Sequence, residues 1–348
     1  VNASLSPDLL KEGTAASVAN RQDGDRSSAI DFLRVRHIEF ISTIASNDVQ
    51  SNSAFNACVS AVHRLCSSLD EAAQNGASVP DMKAVCEEAI SLHARSIFIK
   101  RLQEWPRGYQ GDFETIQMLI SQQLVTRGDA CVLHLERYAL GSMIAQQHRN
   151  KVAAQADLVL RACTRAQKAG RRPRVLSIAC GGSEDLWMVS PVLAATGADV
   201  WINDVDHGAL EYSERRLDRE GISVNLVPGN AVRQVRTLSI LEPFDIVVTG
   251  GLFDYLSNRH AGFIANIASN RLLRDDGVLV VTNLAPDNPF RHWIEVMANW
   301  NMNYREEREI DNYLDVQGIE AHRVIHDRDG SGLAIITQVT PPPRHCND

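Results

Sequence analysis

Apolar residues recur at helical spacing from about Ser28 to Gln167, and the period then changes abruptly. Ile30, Leu33, Ile38, Ile41 and Ile44 predict one amphipathic stripe, and Phe55, Val59, Val62 and Leu65 a second. Asp81 is placed to cap a third helix carrying Val85, Ala89, Leu92 and Ile97. One proline and two glycines in the stretch from Trp105 to Gly111 interrupt the register, and helices are expected to resume from about Phe113 to Leu124 and from Asp129 to Gln167. Ahead of them, residues 1–28 are polar and rich in small side chains, which predicts a loose arm.

After Arg171 short apolar runs alternate with helical segments. The runs are Val175–Ala179, Asp199–Asn203, Val224–Val227, Phe244–Thr249 and Gly277–Thr282, separated by helices such as Leu210–Arg219 and Arg259–Leu273. Such alternation implies a parallel sheet covered on both faces. Ala321–Ile325 and Leu333–Val339 flank the turn-forming stretch Asp327–Gly332, a hairpin signal. The fold class is therefore α/β: a Rossmann-like sheet ending in an antiparallel hairpin, preceded by an all-helical N-terminal domain. The expected boundaries are 1–28 arm, 29–168 helical cap, 169–340 sheet domain and 341–348 tail.

Charge and cysteine usage narrow the function classes. A net charge of -8 over 348 residues argues against a nucleic-acid enzyme, which would usually show a basic face, though a local basic patch can sit on an acidic protein. Arg171, Arg172 and Arg174 form the densest basic cluster and read as a solvated linker. The seven cysteines are scattered without a C-x-x-C pair, so neither a disulfide framework nor a structural zinc site is expected. The histidines show no H-E-x-x-H motif, and no metal site is predicted. No leader-like or bilayer-length apolar run is present, which points to the cytoplasm.

The candidate chemistry lies at the strand ends, in order along the chain. Ala179-Cys180-Gly181-Gly182 follows the first strand, where glycine lets the backbone approach a ligand at a helix start. Asp204, with Val205 beside it, follows the second strand, where a carboxylate accepts the hydrogen bonds of a ribose diol. Asn230-Ala231 follows the third, in reach of an adenine edge through the Asn amide. Gly250-Gly251 closes the fourth strand and leads into Phe253, Asp254 and Tyr255. This ordered set resembles the class I S-adenosylmethionine-dependent methyltransferases over residues 174–340. Within that superfamily Trp105–Phe113, Gly251–Leu256 and Trp300–Arg305 resemble bacterial proteins that make 3-hydroxypalmitic acid methyl ester.

The resemblance implies S-adenosylmethionine as cofactor, held by Ala179, Cys180, Gly181, Gly182, Asp204, Val205, Asn230, Ala231, Gly250, Gly251 and Asp112. It implies catalytic roles for Asp254, Tyr255 and Tyr109. Two departures stand out. Ser177 replaces the carboxylate usual at the third residue of the first strand, and the turn reads Ala179, Gly181, Ser183 in place of three glycines. The methionine end must then be anchored elsewhere, and Tyr109–Asp112 is the expected anchor. Methyl transfer to a small molecule is the leading expectation, with the helical half building the acceptor pocket. Cyclisation of the cofactor to azetidine-2-carboxylate with release of methylthioadenosine, aminocarboxypropyl transfer, and a non-catalytic cofactor-binding partner subunit stay open, as does a homodimer. Blander roles compete at each position: Asp204 and Asp254 as helix caps, Phe253 as core, Cys180 as a small buried residue.

Overall fold

The computed structural model describes the backbone of residues 7–343, with side chains from Asp25 onward. In chain order the helices begin α1 (Pro7–Ser46), α2 (Asn52–Gln74), α3 (Val79–Val85), α4 (Glu87–His93), α5 (Ile97–Glu104), α6 (Phe113–Ser121), α7 (Ala130–Gly141) and α8 (Met143–Lys168). Then come β1 (Arg174–Ile178), α9 (Glu184–Met188), α10 (Ser190–Ala195), β2 (Asp199–Asp204), α11 (His207–Asp218), β3 (Val224–Pro228), α12 (Ala231–Leu238) and β4 (Phe244–Thr249). The last elements are α13 (Asn258–Ile267), β5 (Leu273–Leu284), α14 (Arg291–Met297), α15 (Glu307–Asp315), β6 (Val324–Arg328) and β7 (Ala334–Val339).

Two compact units result, and neither is continuous in sequence. One comprises Val1–Gly111, Gln123–Gly141 and Pro289–Asn301; the other comprises Asp112–Gln122, Ser142–Asn288 and Met302–Asp348. Helices α6 and α8 thus belong with the sheet, and α14 belongs with the helical unit, across the boundary expected at residue 168. Most of the stretch expected as a loose arm is helical, since α1 starts at Pro7; residues 1–6 and 344–348 lie outside the described residues.

In the helical unit the buried stripe of α1 is Ala29, Leu33, His37, Phe40 and Ile44, while Ile38 is exposed. The true 4-4-3-4 spacing runs through a histidine and a phenylalanine, so a stripe built from aliphatic residues put Ile38 on the wrong face. In α2 the stripe centres on Ala54, Cys58, Ala61, Val62, Leu65 and Leu69. The third helix is capped by Ser78, with Asp81 three residues inside it closing a capping box, and the expected single helix is broken into α3, α4 and α5. The expected helix 129–167 likewise divides at Ser142, whose hydroxyl accepts from the Ala145 N–H and starts α8 afresh.

The sheet unit holds seven strands in the order β3-β2-β1-β4-β5-β7-β6. β1 to β5 pair in parallel, and β7 inserts antiparallel between β5 and β6. This is a Rossmann-like arrangement with a terminal antiparallel hairpin. Alternate strand residues serve opposite faces. Leu176, Ile178, Val247, Leu279 and Val281 pack with α12, α13 and α15, whereas Val175, Val200, Ile246, Val248 and Val280 pack with α8, α9 and α11. Every residue of β1 and β4 is buried, which is why these strands read as unbroken apolar runs. The arginines ahead of β1 do not form a solvated linker. Arg171 pairs with Asp245 and Asp276, and Arg174 with Asp199 and Glu242, because the amino end of the sheet gathers carboxylates around them.

Candidate active site at the carboxyl edge of the sheet

The first strand ends in a turn with three left-handed residues, Ala179 (φ 51°), Gly181 (φ 52°) and Ser183 (φ 50°). Only glycine takes that conformation freely, so the turn holds roughly 1 kcal/mol of strain at each of the other two positions. Hydrogen bonds fix it in place. The Cys180 N–H donates to the Asn203 carbonyl (2.9 Å), the Gly181 N–H to Asp204 Oδ2 (2.9 Å), and the Ser213 hydroxyl to the Gly181 carbonyl (2.8 Å). The Cys180 thiol is pushed up by burial and by the Asp204 charge, so it stays protonated and is no nucleophile.

Asp204 organises the edge. Its Oδ1 accepts the Asp206 N–H (2.9 Å) and its carbonyl accepts the Gly229 N–H (2.8 Å), so the ends of β1, β2 and β3 meet on one residue. Burial raises the pKa of its carboxyl, while the backbone N–H groups that bond it oppose that rise. The cap of α11 is Asp206, whose Oδ1 accepts from Gly208 (2.8 Å), and not Asp204. Asn203 ties the same corner, donating from Nδ2 to the carbonyls of Val227 (2.7 Å) and Gly229 (2.9 Å). Asn230 caps α12 through Oδ1, which accepts from Val232 (3.0 Å). Val205 beside them is 62% exposed, an apolar surface next to a row of polar strand ends.

A second cluster surrounds Gly250 and Gly251. Asp254 is buried, and its Oδ1 accepts from the Leu284 N–H (2.8 Å) and from Asn283 Nδ2 (3.2 Å); it caps no helix. Its Oδ2 faces Lys151 Nζ at 3.9 Å. Burial raises the Asp254 carboxyl and lowers the Lys151 ammonium, each opposed by the partner's charge. Gln155 Nε2 donates to the Gly250 carbonyl (3.3 Å), which also accepts from the Thr282 hydroxyl. Arg305, itself buried, braces the loop by donating to the Phe253 carbonyl (2.7 Å). Phe253 is fully buried in the core and presents no ring to a ligand. Tyr255 is 40% exposed beside this cluster.

The remaining expected residues divide between the units. Asp112 caps α6 by accepting the Thr115 N–H (3.0 Å), and α6 lies against the glycine turn, with Phe113 and Gln117 the nearest side chains to Gly181 and Gly182. Tyr212 donates to Gln117 Oε1 (3.1 Å) on the same helix. Tyr109 belongs to the helical unit. Nothing in the sequence reading singled out Gln147, Lys151 or Gln155, which lie four residues apart on α8 and are all buried. A polar i, i+4, i+8 row reads as a solvated face, and only the placement of α8 against the sheet reverses that reading.

No family model matches the chain, and no curated protein is similar to it in sequence. Among solved structures, a possible exported protein from Bordetella parapertussis aligns with 98% of this chain and 100% of its own, at a TM-score of 0.52 and 15% identity. The magnesium protoporphyrin IX methyltransferase of Synechocystis PCC 6803, solved with SAH bound, aligns with 58% of this chain and 88% of its own, at a TM-score of 0.40 and 15% identity. The O-methyltransferase TomG of Streptomyces achromogenes, solved in complex with SAM, aligns with 54% and 80%, at a TM-score of 0.38 and 17% identity. Likeness at these identities concerns the fold alone.

Proposed function

We propose that this chain is an S-adenosylmethionine-dependent transferase acting on a small molecule, with methyl transfer as its reaction. The observation that carries the reading is the meeting of three strand ends on Asp204 in a sheet of this order: Gly181, Asp204 and Gly229-Asn230 form one hydrogen-bonded corner. Asp204, bonded by the backbone N–H groups of Gly181, Asp206 and Val205, is the acceptor for the ribose hydroxyls. Val205 and Ala231 supply apolar surface for an adenine, and the Asn230 amide a donor to its ring. The glycine turn brings backbone close to the chain that links ribose and sulfur.

Bound S-adenosylmethionine supplies an electrophilic methyl carbon on a sulfonium whose departure leaves a neutral thioether. The protein's task is alignment, and Gly250-Gly251, lacking side chains, leaves room for an acceptor at the end of β4. Asp254, held by Leu284 and Asn283, stands ready to take part in orienting that acceptor.

Titration calorimetry and mass spectrometry after incubation with S-adenosylmethionine test this. Binding, with S-adenosylhomocysteine formed once an acceptor is added, is the expected outcome. Methylthioadenosine formed by the protein alone would replace methyl transfer with cyclisation, and absence of any binding would defeat the proposal.

A further inference from the structure

The buried face of α8 carries more unsatisfied polarity than a structural helix tolerates. Gln147 is fully buried, yet neither its Oε1 nor its Nε2 has a hydrogen-bond partner in the protein. One turn on, Lys151 is buried with the Asp254 carboxylate at 3.9 Å, beyond hydrogen-bond length, and the Asp329 charge also acts on it. On β5 Asn283, also buried, gives its amide nitrogen to Asp254 and leaves its Oδ1 unpartnered. An unmatched buried polar group costs about 1–3 kcal/mol, so two such atoms one turn before Lys151 and a third on the residue that bonds Asp254, flanking an ion pair at long range, call for an occupant.

The donor and acceptor inventory defines that occupant. Gln147 Nε2 and Lys151 Nζ offer donors to an anion. Gln147 Oε1, Asn283 Oδ1 and Asp254 Oδ2 offer acceptors to a cation or N–H group. Lys151 Nζ also lies 3.5 Å from where a side chain on Gly251 would begin, so the cluster opens on the glycine pair at the end of β4. A ligand bearing both signs within a few ångströms meets both the donor and the acceptor sets; a simple anion or cation meets only one.

We propose that Gln147, Lys151, Asp254 and Asn283 form a subsite for a zwitterionic α-amino carboxylate, its carboxylate on Gln147 and Lys151 and its ammonium on Asp254 and Asn283. Two sources carry that group: the methionyl end of the cofactor, or a free amino acid serving as acceptor. The first explains why β1 dispenses with a carboxylate at Ser177. The inference rests on the proposed cofactor in its first form and is independent of it in its second.

Calorimetry on the full chain separates these sources, comparing S-adenosylhomocysteine with methylthioadenosine, which lacks the amino-acid end, and then titrating each protein amino acid in the presence of methylthioadenosine. If the cofactor fills the subsite, S-adenosylhomocysteine binds at least tenfold more tightly than methylthioadenosine. Gln147→Leu and Lys151→Met then erase that preference while leaving methylthioadenosine affinity unchanged. If a free amino acid fills it, the preference is absent and the same variants abolish binding of that amino acid. Wild-type affinities in both variants for every probe would overturn the subsite. Failure of both nucleosides to bind defeats the cofactor reading alone, and the amino acids titrated without nucleoside then decide the subsite. Gln147→Leu should melt at or above the wild-type temperature, because it removes an amide that the protein itself leaves unbonded.

Discussion

The helical unit and the sheet unit each bury a polar cluster, and they finish it differently. In the first, the Glu136 carboxylate is inaccessible to solvent but accepts hydrogen bonds from the Ser96 hydroxyl (2.7 Å), the Val125 N–H (2.7 Å), the Thr126 N–H (2.9 Å) and the Thr126 hydroxyl. These donors outweigh burial and hold the carboxyl below its ordinary range. In the second, Lys151 and Asp254 face each other at 3.9 Å while Gln147 stays unbonded at both ends. Equal burial therefore does not mean equal purpose. A saturated charge splices the loop ahead of α7 to the start of α5, whereas an unsaturated set is shaped for something the chain does not itself contain.

The largest expected effect breaks this contrast if it is wrong. Glu136→Ala strands four backbone or hydroxyl donors, and should lower stability by about 4 kcal/mol. Thermal or urea unfolding measures it, and ligand affinity of the surviving folded protein should not change. A loss no greater than that of Gln147→Leu would mean that saturation does not distinguish the two clusters.

An intermediate effect comes from a half-satisfied group in the helical unit. His93 is fully buried, stacked on Phe40 at 5.4 Å, and its Nδ1–H donates to the Ala89 carbonyl (2.7 Å) while Nε2 has no partner. Burial lowers it from 6.5 to about 4. The folded state thus refuses a proton that the unfolded chain accepts between those values. Stability is complete above about pH 6.5 and declines as pH falls toward 4, by up to roughly 3 kcal/mol. Unfolding measured across that window should be flatter in His93→Leu, and an unchanged slope would remove His93 as the cause.

What could be read in the sequence follows the same division. Strands covered on both faces are continuous apolar runs, so Val175–Ala179 and Phe244–Thr249 announced the sheet, and glycines with Asp204 and Asn230 at strand ends announced its edge. Ile38 was misassigned because the buried stripe of α1 passes through His37 and Phe40. Arg171 and Arg174 looked like a solvated linker because their partners, Asp245 and Asp199, are distant in sequence. The polar face of α8 was illegible for a deeper reason. Gln147, Lys151 and Gln155 at four-residue spacing are what a solvent-facing helix shows, and burial is decided by the sheet that the helix meets.

The smallest effect probes the sheet edge, where conformation and ligand contact coincide. Gly229 sits at φ +125°, a backbone region that side-chain-bearing residues rarely adopt, and a Cβ there would meet Gln234 Nε2 at 2.8 Å. Gln234 is not free to swing aside without loss, because that nitrogen donates to the Pro228 carbonyl (3.0 Å). Gly229→Ala must either strain the backbone or pull the Gly229 N–H from Asp204, at a cost of about 1–2 kcal/mol. If the corner exists only to hold the fold, that cost appears in the unfolding free energy and nowhere else. If the corner is a ligand site, relaxing Asp204 also moves the ribose acceptor, and affinity for S-adenosylhomocysteine falls several-fold in protein that is still folded. Measuring both on one variant tells the two apart, because Glu136→Ala moves stability alone and Gly229→Ala should move both.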